Sequence, residues 1–450
     1  MLRISCMAAF SRIILLLLVG NIVYSSAYAL GDIADGYTNH LSVYPGDSIT
    51  LYLNAYQTTP GYTIKLYTLQ GQEVLQCQAT VSPQLSDSKN TYEDGFGYKR
   101  TTTVYLPPTL KSGVYLWENK IPMIVKSSTA KIIVLYPSNT ENAYCNSGGK
   151  SLYSFNSSDK AASPIVSFLR PMSIEPHSME FLRWMEQQDF QNVGYITDMD
   201  MDEYREIKRA SLLIITGHSE YWTLQARKNF DRFVGDGKNV LVLSGNTMWW
   251  QVRYSKDRNQ LICYKNADKD PIKSTKLKTI NWNEITLNYP ILRSLGTDFT
   301  LAGYGRKADK GWDGYKVIAS RSPLLEGTKL KDGDILSCAS DELDGAPLSG
   351  FENGIPIINQ EALGFQKVEI IGYDHVARGG VDGVATWIVF KANRSSGIVI
   401  NTASTDWCSR HGIGSNPDIQ TITRTMITRL LNHEYVFSPE TSKEPASFAN

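Results

Sequence analysis

Leu212-Leu213-Ile214-Ile215-Thr216-Gly217-His218-Ser219-Glu220-Tyr221-Trp222 is the stretch that decides the fold. A fully apolar run ends at a glycine, and polar and aromatic side chains follow at once. Leu224 to Val234 then has helical period and stops at Gly235 and Gly237, where glycine can take the left-handed conformation that ends a helix. Asn239 to Leu243 is a second apolar run. Strands that are apolar on both faces, joined through a helix, predict parallel pairing with a crossover connection.

The same reading extends outward. Lys131 to Leu135 and Val193 to Ile196 are further buried strands, and Ser178 is placed to cap a helix carrying Met179, Leu182 and Met185 on one face. Val368 to Ile371, Thr386 to Phe390 and Gly397 to Ile400 extend the sheet. A last helix follows Pro417 and Asp418, with Ile419, Ile422, Met426 and Leu430 on one side. Together these predict an α/β doubly wound parallel-sheet domain. It covers 129–450, with an irregular Gly-, Lys- and Asp-rich insertion at about 255–367.

Upstream the period changes to two. Ile49, Leu51 and Leu53 alternate with Thr50, Tyr52 and Asn54 behind a Pro45-Gly46-Asp47 turn, and Ile64 and Leu66 repeat the pattern. With Val74 to Val81, Tyr98 to Leu106 and Gly113 to Trp117, this predicts a β-sandwich over 30–128.

Composition excludes several classes. The chain has 450 residues, 42% of them hydrophobic and 20% charged, which is unlike a disordered chain. Its 45 basic and 45 acidic residues cancel, so there is no basic footprint for nucleic acid. Arg3 and Arg12, the apolar run from Ile13 to Val19 and the Ala27-Tyr28-Ala29 step form the three-part pattern of a secretory signal peptide over 1–29. Mature protein is expected to start near Leu30, secreted or periplasmic, with no later membrane span. Cys77, Cys145, Cys263, Cys338 and Cys408 then remain, an odd number whose pairing the spacing leaves open. No CxxC spacing points to structural zinc.

In open α/β sheets ligands bind beyond the carboxyl ends of the strands. The loops there carry Thr140 to Tyr144 with Gly148 to Tyr153, then Thr197-Asp198, Gly217 to Trp222, Gly245 to Trp250, and Thr405-Asp406-Trp407. They predict one shared rim, with Asn246, Trp249, Trp250, Asp406 and Trp407 around a small-molecule site. Bland readings stand beside these: His218 as a strand cap, Glu220 as a helix N-terminal carboxylate, the tryptophans as rim packing. Asp198, Asp200 and Asp202 do not make a calcium loop, because Glu203 and Arg209 hold its sixth and twelfth positions. They are read as a solvated loop and helix start. No Gly-x-Ser-x-Gly elbow or HExxH pair is present, and a Cys145–His218 pair rests only on the common rim.

Several of these motifs run together in a known order: Gly36 to Asn39 with Pro45 to Asp47, Ser112 to Tyr115, Thr140 to Tyr144 with Gly148 to Tyr153, and Arg170-Pro171. Gly217 to Trp222, Asn246 with Trp250 and Arg253, Glu342 to Gly345, and Thr405 to Trp407 complete the set. In this the chain resembles the large (β) subunit of N,N-dimethylformamidase and its relatives, over nearly its whole mature length. The resemblance implies a β-sandwich joined to a domain like the class I glutamine-amidotransferase fold. It implies a mononuclear iron held by two tyrosines and a glutamate, and a small partner subunit. By motif position Tyr221 and Glu342 are the ligands carried over, with His218 and Glu220 as catalytic groups. The second tyrosine is expected where this chain has Trp249, with Tyr254 five residues on. Indole is a donor only and cannot replace phenolate.

Two readings follow. One is an exported hydrolase of a small amide or other C–N bond, using an iron-like Lewis acid. The alternative is an exported binding or adhesion protein for a small-molecule or carbohydrate ligand, which keeps the fold without the metal. A partner subunit or a homo-oligomer is open in either.

Overall fold

A computed structural model describes residues 33–439 apart from 87, 175, 306–311, 339 and 379–380. The expected signal segment and its cleavage point lie outside the described residues.

The two-periodic segments pair as two facing sheets. One orders Ile33–Thr38, Ser48–Ala55 and Thr102–Tyr105; the other orders Ser42–Val43, Ile121–Val125, Gly113–Trp117, Thr59–Thr68 and Glu73–Val81. Ile49, Leu51 and Leu53 meet Ile64, Leu66, Trp117 and Met123 between them, as their alternation requires. The strand Ile121–Val125 has no alternation to read, because all five of its residues are buried. Met123 and Val125 face the sandwich core while Ile124 packs outward with Val114 onto Phe181 and Leu182. The larger sheet is therefore covered on both faces.

Five parallel strands follow in the order Val193–Thr197, Ile132–Tyr136, Leu212–Gly217, Asn239–Ser244 and Ile398–Asn401. Ile132, Val134 and Tyr136 point to one face, against Phe181, Leu182 and Met185 of the helix Pro176–Gln187 and Ile419, Ile422 and Met426 of the helix Pro417–Leu431. Ile133 and Leu135 point to the other, against Ala226, Phe230 and Phe233 of the helix Leu224–Gly235.

Some expectations need correction. The helix expected to be capped at Ser178 begins at Pro176, so Ser178 sits inside its first turn and accepts a bond from Thr216 Oγ1; proline suits that opening position. Of the later strands, Ile398–Asn401 joins the sheet in parallel, but the other two do not. Lys367–Arg378 and Val381–Lys391 pair antiparallel with only two residues between them, and a parallel return would need a crossover of a dozen or more. Inside the stretch read as irregular, Asp298–Tyr304 and Glu342–Gly345 close this edge of the sheet. The sheet is mixed, with a parallel half and an antiparallel half.

Asp198 is likewise not a solvated loop residue. It is buried, and its carboxylate accepts from Asn139 N at 2.8 Å, fastening the helix Ser138–Tyr144. Burial raises its pKa from 3.8 to about 8. The unfolded chain then loses this proton near pH 4 while the native chain keeps it to about pH 8. Between those values the unfolded state binds fewer protons, so stability falls as pH rises. Asp198→Asn removes that dependence. The stability difference between variant and wild type, from urea melts at pH 5 and pH 8, is expected to shift by a few kcal/mol in favour of the variant at about 1.4 kcal/mol per unit. A pH-independent difference would show that Asp198 titrates normally.

Candidate active site

Because the five strands are parallel, their carboxyl ends open onto one edge, and hydrogen bonds tie the loops there together. Glu220 N donates to Thr140 Oγ1 at 3.0 Å, Gly245 N to Gly217 O at 3.4 Å, and Thr405 N to Glu342 O at 3.1 Å. Gly217 turns the chain at φ +64°, and a Cβ there would collide with Ser178 Oγ, so this turn and helix start approach only through glycine.

His218 stands at the centre. Its Nε2 is 3.2 Å from Glu342 Oε2 and 3.5 Å from Glu220 Oε2. Asn246, held at φ +48°, donates from Nδ2 to Glu342 Oε2 at 2.8 Å. Two residues along the same strand, Asp344 accepts from Asn246 N at 2.9 Å, so one strand grips that loop by its backbone and its side chain. The two glutamates differ. Burial pushes the Glu220 carboxyl above its ordinary range, against the pull of His218 and Lys265. Burial acts the same way on Glu342, but the bond and charge of His218, aided by Asn246, hold it below the ordinary range. Carboxyls driven apart in this way divide their roles, and Glu342 is the one held ionised by its neighbours.

Two phenols converge on Glu220. Tyr144 Oη donates to Oε2 at 3.0 Å, and Tyr153 Oη lies 2.7 Å from Oε1 and 3.0 Å from Oε2. Burial, followed by the charge of Glu220, raises both phenols far above the ordinary tyrosine value. The Lys265 ammonium lies 3.3 Å from the Tyr153 ring centroid and 5.1 Å from that of Trp250. Burial lowers its pKa while Glu220 opposes, and its Nζ meets no hydrogen-bond acceptor among the described residues.

The predicted residues are partly gathered here. His218, Glu220, Glu342 and Asn246 come together. Tyr221 starts a short strand, Tyr221–Thr223, parallel to Trp250–Tyr254. Its phenol is bonded to that of Tyr153 at 2.7 Å, and no described contact joins it to Glu342. Trp250 borders Lys265, whereas Trp249 packs edge-on against Phe299. Tyr254 is buried on Asn139 Oδ1 at 3.0 Å. Trp407 is not on the rim: it is fully buried, tilted against Trp387, with Nε1 donating to Thr423 Oγ1 at 2.9 Å. Asp406 turns to His177 instead, with Oδ1 at 3.3 Å from Nδ1. Cys77, Cys145 and Cys263 are free thiols, and that of Cys145 donates to Pro171 O at 3.3 Å rather than pairing with His218.

A cavity of about 580 Å³ opens onto His218, His177 and Tyr144. Gly36 and Ile121 of the sandwich form its opposite wall. Tyr144 and Tyr153 were legible only as members of the loop motifs after the first parallel strand; His177 and Lys265 carried no sequence signal at all. Among the described residues no three His, Cys, Asp or Glu side chains are grouped to hold a metal. The oxygen set here is instead one carboxylate with two phenols, the chemistry that suits a hard cation.

Fold and site thus define a mixed α/β protein with a buried carboxylate–imidazole–phenol centre facing a cavity. The family model described as N,N-dimethylformamidase beta subunit-like, C-terminal, matches residues 62–415. The chain belongs to that family. A comparison with curated proteins gives no match.

Proposed function

We propose that the protein hydrolyses a C–N bond of a small amide at the Glu220–His218–Glu342 centre, with iron as its cation. The observation that carries this is one imidazole between two carboxylates of opposite proton affinity, 3.2 and 3.5 Å away. Glu342, ionised and braced by Asn246, takes a proton from the attacking water. Glu220, Tyr144 and Tyr153 supply the oxygens for the cation, one glutamate and two tyrosines as in the dimethylformamidases. This ligand set replaces the pair Tyr221 and Glu342, and it removes the need for a tyrosine at 249. Held by these three residues, a ferric ion would supply Lewis acidity toward the amide carbonyl. Binding would displace the phenol protons now shared with Glu220, so affinity should rise with pH.

Other features support the rest of the reading. Helices on both faces of five parallel strands favour the likeness to the class I glutamine-amidotransferase fold, with the sandwich, 30–128, as a separate domain. Phe351, Ile355 and Ile357 lie exposed on the hairpin Leu348–Glu352 with Ile355–Ile358, which favours a partner subunit or self-association. The binding-protein alternative leaned on an aromatic rim, and that rim lacks Trp407. Export rests on the leader pattern of residues 1–29.

One preparation tests the proposal. Protein from the extracytoplasmic fraction is expected to start near Leu30 by mass, to contain iron, to absorb visible light through tyrosinate, and to release amine from simple amides. Colourless, iron-free protein that releases no amine would refute the enzyme reading; an intact Met1 in that fraction would refute cleavage.

A further inference from the structure

We propose that His177, oriented by Asp406, is the proton donor to the departing nitrogen. This role rests on the hydrolase reading above. His177 comes from the first turn of the helix Pro176–Gln187, and Asp406 from the loop after the strand Ile398–Asn401. They are 229 positions apart by number (406 − 177), yet Nδ1 lies 3.3 Å from Oδ1. Asp406 is itself held: Oδ2 accepts from Asp341 N at 2.8 Å and from Thr405 Oγ1 at 3.0 Å. Burial raises its carboxyl, but the bond and charge of His177 outweigh that and keep it below the ordinary range. A carboxylate fixed on Nδ1 orients an imidazole and stabilises its protonated form, with proton transfer at Nε2.

His177 borders the same cavity as His218, with ring centroids 6.0 Å apart, close enough for one bound amide to meet both. The two imidazoles are engaged differently. His218 lies between the two glutamates inside the centre, while His177 reaches the cavity from the neighbouring helix. An alkylamine leaves only as it is protonated. In the step proposed, the water oxygen bonds to the carbonyl carbon as Glu342 takes one of its protons and the carbonyl π pair moves to oxygen. The C=O bond then re-forms as the C–N bond breaks, the C–N electron pair goes to nitrogen, and His177 gives nitrogen a proton. Glu342 releases its proton to solvent and His177 takes one up, so one water is consumed per amide cleaved. His177 is the catalytic residue here, and Asp406 positions it.

The test compares leaving groups. Wild type, His177→Gln and Asp406→Asn are assayed on an N-alkyl amide and on the nitrophenyl ester of the same acid, whose leaving group departs without a proton. For His177→Gln the expected loss in kcat/KM is on the order of 10²–10³-fold on the amide and under about fivefold on the ester. Asp406→Asn should show the same selectivity at about tenfold, which keeps the result readable if one variant folds poorly. Equal losses on both substrates, or none on the amide, would overturn the donor role while leaving the hydrolase reading intact. A wild type that cleaves neither substrate overturns both.

Discussion

Glu220→Gln is expected to empty the protein of iron and to lower kcat/KM for amide hydrolysis by on the order of 10³-fold or more, at least the middle of the range for losing a single proton-transfer group. Glutamine keeps the shape of the side chain and one acceptor oxygen for the phenols that now donate to it, Tyr144 at 3.0 Å and Tyr153 at 2.7 Å. It removes the negative charge that an oxygen-seeking cation requires, and it turns an amide N–H₂ toward His218 Nε2, 3.5 Å from Oε2. Tyr144→Phe and Tyr153→Phe should each lower iron content while leaving the ring packing in place. Glu342→Gln should behave differently: iron stays and turnover falls, because the ionised base has been neutralised. Tyr221→Phe is the sharpest contrast. Its hydroxyl ends on Tyr153, so the change should cost at most the roughly 0.5–1.5 kcal/mol of one hydrogen bond and leave iron in place. Metal analysis of the five purified variants decides the matter. Iron lost from Tyr221→Phe and Glu342→Gln but retained in Glu220→Gln would restore the assignment made by motif position.

That contrast shows where the sequence stops being legible. Helical period and unbroken apolar runs report burial, so the strands at 132, 193, 212 and 239 and the helix at 224 could be read directly. The signal fails where Pro122 interrupts the buried strand Ile121–Val125, and where burial is mixed without alternation, as at Asp298–Tyr304. Strand direction was legible only where the connection length dictated it. For the site, the loops beyond the strand ends could be located because topology puts them on one edge. What chain order cannot supply is which side chains turn inward. Tyr221 and Glu220 are adjacent and both reach Tyr153, yet the carboxylate also meets Tyr144 and His218 while the Tyr221 phenol does not extend past Tyr153. Asp406 and Trp407 are adjacent too, and one faces His177 while the other fills the core. His177 opens a helix whose period marks only its buried face, and Lys265 stands in a segment without period; both become visible only when distant elements close around the site.

Arg170→Met is expected to be the most damaging substitution outside the centre itself, costing about 3–5 kcal/mol of stability, as stranding several buried acceptors at roughly 1–3 kcal/mol each implies. The Arg170 side chain is fully buried and behaves as a bracket for the loop that carries the phenols. Its Nε and Nη2 donate to Asn142 Oδ1 at 3.1 and 2.9 Å, Nη2 also to Asn142 O at 2.7 Å, and Nη1 to Ser147 O and Lys150 O at 2.9 Å each. These five bonds end on neutral oxygens between residues 142 and 150, the stretch that leaves Tyr144 and returns as Tyr153. Methionine matches the stem but strands those acceptors in an apolar surround, and each unmet buried acceptor costs roughly 1–3 kcal/mol unless water enters. Lysine is no remedy, because a single ammonium cannot span the fork that reaches three backbone carbonyls. Arg170→Lys should therefore lose nearly as much stability as Arg170→Met. Urea denaturation gives the stability change, and iron content measured on the folded fraction shows whether the phenols still converge on Glu220. Both are expected to fall together, since one loop supplies both phenols and is held from within by one side chain. A loss of under about 1 kcal/mol in Arg170→Met, the size of one ordinary hydrogen bond, would mean that the loop keeps its course by packing alone and that the guanidinium is not its bracket.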